Sequence, residues 1–242
     1  MGSLEWSRED QPWAATPEAA QWSGSRGRVL FIGDLATSAL MLSPVLEVLE
    51  QDYPVQAMGV TFRDAVRRPK MLAERSRGAH VLGHGAASLA IERANLEGIR
   101  SLTMIAGLEP QPIPRFSTGQ LSVLSGFDTG EDVLTFEYAV QFLDKLTEYI
   151  RAPLLHTRLL RSIARISSLE VLSQIRQAQD IPGLYVPMEH DELGRLSLEQ
   201  TARALEFDVN WCEITGPKAT HDLLLRDPEF TLTQSNFEQQ LG

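Results

Sequence analysis

The sequence predicts an α/β protein, a mostly parallel sheet flanked by helices with a small helical lid insertion. Two patterns carry this prediction. Between residues 28 and 106, short apolar runs alternate with segments whose apolar residues recur at helical spacing, as expected of strands buried on both faces and joined by crossover helices. From residue 110 to 180 the alternation gives way to helical spacing alone, and at Gly183 it resumes.

Arg28 to Ile32 reads as the first strand, ending at Gly33-Asp34. Ser38 to Gln51 follows as a helix with Leu40, Leu42, Val45, Leu46 and Leu49 on its apolar side. Tyr53 to Val60 is the second strand. Asp64 to Arg77 reads as a helix interrupted at Pro69, because proline lacks the N–H that a helix interior needs. The arginines of this stretch (63, 67, 68, 75 and 77) read as a solvated face. Ala79 to Leu82 is the third strand, Ala86 to Ala94 its helix, and Ser101 to Ala106 the fourth strand.

In the insertion, Glu131 to Ile150, Leu159 to Ile166 and Leu169 to Ile175 all carry helical periodicity. The sheet then returns with Gly183 to Pro187, a helix over Leu198 to Leu205 and a last strand over Asp208 to Ile214. The resulting organisation is a loose arm over residues 1–26, a core over 27–109 and 181–242, and a helical lid over 110–180. Trp6, Trp13 and Trp22 lie in the arm without apolar periodicity. They read as groups that dock on the body or on a second subunit, which makes the arm a candidate homodimer contact.

The chain has 242 residues, 43% of them hydrophobic, enough for one sizeable core. A formal net charge of −10 argues against a nucleic-acid partner, because phosphate binding draws on Lys and Arg. The lone Cys212 makes no internal disulfide, and apolar runs such as 102–108 fall short of the roughly 20 residues that a membrane span requires. The opening segment lacks the basic start and apolar stretch of a secretory signal. The expectation is a cytoplasmic protein with no membrane partner.

Chemistry concentrates where the third strand runs into its helix, His80-Val81-Leu82-Gly83-His84-Gly85-Ala86-Ala87-Ser88. In a G-x-S-x-G turn the central serine is lifted above the sheet by a strained bend that small neighbours permit. Here Gly83, Ala86 and Ala87 keep the smallness, and Gly85 stands in the nucleophile's seat. Ser88 lies almost one turn further on and faces the flanking structure. His84 packs beside the turn, and Cys212 reads as a small buried residue. Backbone N–H groups near Leu35 and Ala86 are candidate oxyanion donors, while the Asp34 carboxylate close by opposes a developing negative charge.

Two further stretches belong with this one. Val186-Pro187-Met188-Glu189-His190-Asp191 follows an apolar strand, and Gly216-Pro217-Lys218-Ala219-Thr220-His221-Asp222 lies on the loop after the last. Asp191 and His221 are 30 residues apart, room for one helix and one strand. A histidine oriented by a carboxylate is the base half of a triad. The five histidines are not read as a metal-binding set, and neither a metal nor a cofactor is expected.

From about Arg28 to the C-terminus, these three stretches together resemble the α/β-hydrolase superfamily. The resemblance implies the chain order nucleophile, acid, base at Gly85, Asp191 and His221. It departs from the pattern at Gly85 and at Ile32-Gly33-Asp34-Leu35, where a His-Gly pair usually begins the oxyanion loop. The N-myc downstream-regulated group likewise lacks the nucleophile, and the chain is similar to it in that respect only.

The site read from the sequence is therefore the pair His221 and Asp191 opposite Gly85, with Asp34, Leu35, His84, Gly85 and Ala86 as ligand contacts. The leading functional reading is a hydrolase-like protein, not a working esterase, whose former cleft binds a small molecule or a protein partner. A second is a non-hydrolytic enzyme of lyase, decarboxylase or hydratase type with His221, held by Asp191, as general base. A third treats Gly83-x-Gly85-x-x-Ser88 as a dinucleotide-binding turn, with Glu109, 24 residues past Gly85, near the roughly 20 expected of a ribose-binding acid.

Overall fold

The computed structural model describes residues 27–35, 37, 39–110, 162–163, 165–191 and 209–241. The sequence-predicted arm, most of the lid and the helix over Leu198 to Leu205 lie outside them. Six strands, β1 (Gly27–Ile32), β2 (Val55–Val60), β3 (His80–His84), β4 (Ser101–Ile105), β5 (Gly183–Val186) and β6 (Asn210–Trp211), form one sheet in the order β2-β1-β3-β4-β5-β6. Every neighbouring pair is parallel. The last strand is shorter than the sequence pattern suggests, although an isolated bridge from Met188 to Ile214 extends the pairing.

Side chains that alternate along each strand sort into two cores. Leu30, Ile32, Val81, Leu102, Met104 and Tyr185 face one way and pack with residues of α2 (Phe62–Arg67), α3 (Pro69–Ser76), α4 (Ala87–Ala94) and α5 (Ser168–Gln179). Val29, Phe31, Leu82, Ile105, Leu184 and Val186 face the other way, against α1 (Ala39–Asp52), α6 (Leu223–Arg226) and α7 (Pro228–Gln234). This period of two is why the strands are apolar throughout instead of alternating with polar residues.

The helices follow local rules. Thr61 caps α2 by accepting from the Asp64 N–H, and Pro69 opens α3 where the sequence places the interruption, with Arg68 as the break between them. The helix α1 runs on through Pro44 at the cost of one ladder bond. The predicted lid boundary needs correction at its end: α5 falls inside the 110–180 span but packs on β4 and β5 through Leu169 and Leu172, so it is a layer of the core. Among the described residues no helix is long and apolar enough to cross a membrane.

Phe31 is wholly buried in the middle of the sheet. Phe31→Ala is expected to lower the unfolding free energy by about 3–5 kcal/mol, the usual cost of deleting a buried aromatic side chain. Urea unfolding checks this value.

Candidate functional site

The connection from β1 runs to β2 on one side, and the connection from β2 passes back over β1 to β3 on the other, so the strand order reverses there. In open parallel sheets, ligand sites form outside the carboxyl ends of the strands at such a reversal. Asp34 follows β1, the Gly85 turn follows β3, Asp191 follows β5 and His221 follows β6.

The turn after β3 keeps the geometry that its small residues permit. Gly85 sits at φ 55°, a left-handed conformation that strains other residues, and its N–H donates to the Ile105 carbonyl at 3.1 Å. Gly83 has no room for a side chain, since a Cβ there would lie 2.7 Å from Met104 Sδ. The loops bearing Asp191 and His221 are laced together. The Glu189 N–H donates to the Ile214 carbonyl, the His190 N–H to the Ala219 carbonyl, and the Gly216 N–H to the Glu189 carboxylate at 2.7 Å. His84 packs its ring against that of His221, 5.2 Å between centroids, and its Nε2–H donates to the His221 carbonyl at 2.8 Å. Burial and the neighbouring His221 charge lower the His84 pKa, so it is the neutral ring that ties the two loops.

Around His221 the structure assembles a buried chain of charges. Nδ1 meets Asp191 Oδ2 at 2.9 Å, and Nε2 meets Asp34 Oδ2 at 2.9 Å. The other oxygen of Asp34, Oδ1, accepts the Ala86 N–H at 2.7 Å. Asp34, Asp191 and His221 are each 1% exposed. A carboxylate can only accept, so an imidazole held between two of them needs a proton on both nitrogens. Burial opposes that cation, but the charges and hydrogen bonds of Asp191 and Asp34 outweigh it and raise the His221 pKa well above its ordinary value. Burial likewise pushes Asp34 up, and the bond to His221 and its charge overcome this to lower its pKa. Geometry and the direction of the shift together favour a doubly protonated His221 ring between the two acids.

Gly85 explains how Asp34 comes to be there. A Cβ on residue 85 would lie 2.5 and 2.7 Å from the two oxygens of Asp34. The carboxylate therefore fills the volume that a side chain at the crest of the turn would take. It also caps the Ala86 N–H that an oxyanion would need. The sequence places Asp34 near the cleft as an electrostatic obstacle; the structure makes it a direct partner of His221 and Ala86.

The remaining candidates separate clearly. Leu35 turns its side chain into the core beside Leu30 and Ile32, so a contact from this residue would come from its backbone. Ser88 accepts a bond from Ser168 Oγ at 2.9 Å and is wholly buried. Cys212 lies beside the Gln234 carbonyl, His80 pairs with Ser101, and His190 is exposed. Among the described residues no group of three or more His, Cys, Asp or Glu is placed to hold a metal ion.

Glu109 is not placed to receive a ribose. It is buried after β4, where its carboxyl accepts from Ser167 Oγ at 2.6 Å, from the Leu169 N–H at 3.0 Å and from Tyr185 Oη at 3.0 Å. It thus closes the first turn of α5, where the helix dipole favours a negative group. The Ala86 N–H, which a pyrophosphate would require, already holds Asp34. In this arrangement both groups that the dinucleotide reading needs are engaged within the chain.

No protein-family model matches the chain, and no curated protein matches it in sequence. Solved structures do. A serine hydrolase involved in carbazole degradation superposes with a TM-score of 0.57 at 14% identity, covering 90% of this chain and 92% of that one. An N-formylmaleamic acid deformylase from Pseudomonas putida S16 gives 0.54 at 16%, covering 87% and 92%. A thioesterase domain from the curacin biosynthetic pathway gives 0.51 at 13%, covering 89% and 92%. The chain has the α/β-hydrolase fold.

The buried groups set a pH response. Burial raises Glu109 from its ordinary 4.5 to about 7, against the pull of Ser167, Leu169 and Tyr185. Folding takes up a proton in that interval, so stability falls as pH rises through it. His221, also raised, adds a further fall above its ordinary 6.5. Asp34, lowered, costs stability only as pH drops below its ordinary 3.8. His84 and His80, both lowered by burial, act in the opposite sense below 6.5, so the check is a difference: the urea midpoint of the wild type relative to Glu109→Gln is expected to decline between pH 4.5 and 7. A wild-type midpoint that climbs relative to that of Glu109→Gln across the interval contradicts the assignment.

Proposed function

We propose that this α/β-hydrolase-fold chain does not hydrolyse esters or amides and that its former catalytic cleft is a binding site for a small molecule or a protein partner. One observation carries the reading: the Asp34 carboxylate takes both the space of the missing side chain at Gly85 and the Ala86 N–H. Acyl transfer by a serine needs a nucleophilic hydroxyl, a neutral base to take its proton and free donors for the oxyanion. Gly85 supplies no hydroxyl. His221 is held as a cation whose Nε2–H is already donated. The Ala86 donor is spent on a negative charge.

The general-base alternative is less well supported for the same reason. Proton abstraction by His221 requires a neutral ring with Nε2 free, and Asp34 opposes both conditions. As long as Asp34 stays in place, His221 is a proton donor and not an acceptor.

The wild type is expected to turn over no short acyl esters and to take no label from a serine-directed fluorophosphonate. Turnover, or labelling that disappears on Ser88→Ala, overturns the reading. Gly85→Ser alone is expected to destabilise the fold and to remain inactive, because its Cβ meets the Asp34 carboxylate. Gly85→Ser combined with Asp34→Gly is expected to raise p-nitrophenyl acetate hydrolysis on the order of 100-fold over the wild type, the low end of what general-base assistance contributes. Esterase activity in the single variant equal to that in the double contradicts the role given to Asp34.

A further inference from the structure

We propose that the space between the Gly85 turn and His221 is a binding site for a monocarboxylate, that Asp34 is its internal occupant, and that ligands of this cleft carry a carboxylate that exchanges with the Asp34 side chain. The proposal rests on the non-hydrolytic reading above, because a working serine would need the same space.

Three features of the cradle select this chemistry. Its two donors, the Ala86 N–H and the His221 Nε2–H, each satisfy one oxygen of a single planar carboxylate, at 2.7 and 2.9 Å. The pair is therefore spaced for a carboxylate, which the Asp34 side chain itself demonstrates. The charge balance is also set. One imidazolium already faces two buried carboxylates, Asp34 and Asp191. A third carboxylate added beside them would bring an uncompensated buried charge, which is strongly unfavourable. A carboxylate taken in exchange for Asp34 leaves the sum unchanged. Sulfate and phosphate fit less well, since they bring more oxygens and more charge than two donors satisfy.

The fold holds this cradle open independently of Asp34. The His221 cation is set on its far side by Asp191, and its carbonyl is fixed by the neutral His84 ring. The Ala86 N–H is aimed by the left-handed turn at Gly85, anchored on the Ile105 carbonyl. None of these parts comes from the segment that bears Asp34. Removing the Asp34 side chain therefore leaves a built site with an unpaired imidazolium, not a collapsed one.

Acetate reproduces the end of the missing side chain, so it is the probe. Thermal unfolding of Asp34→Gly is measured in sodium acetate, sodium sulfate and sodium chloride at matched ionic strength. Acetate is expected to raise the Tm of the variant saturably, by about 3–6 °C at ten times its Kd, relative to the other two salts. Addition of His221→Gln to the variant is expected to abolish the acetate effect. In the wild type the tethered carboxylate competes at high effective concentration, and the shift is expected to be several-fold smaller. A folded Asp34→Gly variant whose Tm does not distinguish acetate from chloride overturns the proposal. So does a wild-type shift as large as that of the variant, which would locate the acetate elsewhere.

If Asp34→Gly fails to fold in every salt, Asp34→Asn provides the second measurement. The amide keeps the shape but not the charge, so the His221 pKa read by NMR titration is expected to fall relative to the wild type. An unchanged His221 pKa overturns the proposal. Ester turnover by the wild type would instead refute the non-hydrolytic reading, and indifference to acetate would leave that reading standing, so the two failures are distinguishable.

Discussion

The arrangement depends on a single substitution of charge for volume. The turn after β3 has glycine at its crest, and a carboxylate from the neighbouring strand end takes the space where a Cβ would lie. From there Asp34 reaches two donors at once and, after Asp191, helps to raise the His221 pKa. Each consequence for chemistry follows from that contact. A histidine favoured as a cation and an Ala86 N–H already donated are what the non-hydrolytic proposal rests on.

The sheet makes the contact possible. β1 and β3 lie side by side in parallel register, Ile32 opposite Gly83, so the residues just past their ends converge on the same side of the molecule. Neither strand can shift by one residue, since the two cores sort odd and even positions to opposite faces and a slip would exchange them. Asp34 is therefore held against the turn by the packing of Leu30, Phe31 and Ile32 as much as by its own hydrogen bonds. The loops of Asp191 and His221 are fixed by the bridge from Met188 to Ile214 and the bonds around Gly216. Breaking one member of such a buried ionic chain characteristically costs about 3–5 kcal/mol, because it strands the others.

Much of this was legible in the sequence. The wholly apolar strands, the small residues flanking Gly85 and the placement of Asp191 and His221 after separate strands all follow from local pattern. Three things did not. The bond between Asp34 and His221 joins residues 187 positions apart, and no periodicity reports it; the only local sign was an acid ending the strand next to a turn without a side chain. Glu109 reads as a ribose acid by spacing alone, whereas its true partner Ser167 lies 58 positions away at the start of a helix. Finally, α5 has the same apolar spacing whether it covers a sheet or a lid, so only its contacts with β4 and β5 assign it to the core.

Everything at the site turns on His221 being an imidazolium held between Asp191 and Asp34. Nitrogen-detected NMR of the wild type at neutral pH tests this directly, since the two ring nitrogens report their protons separately. Both nitrogens of His221 are expected to carry a proton. A neutral ring, with one nitrogen unprotonated and open, would contradict this and restore a base to the cleft.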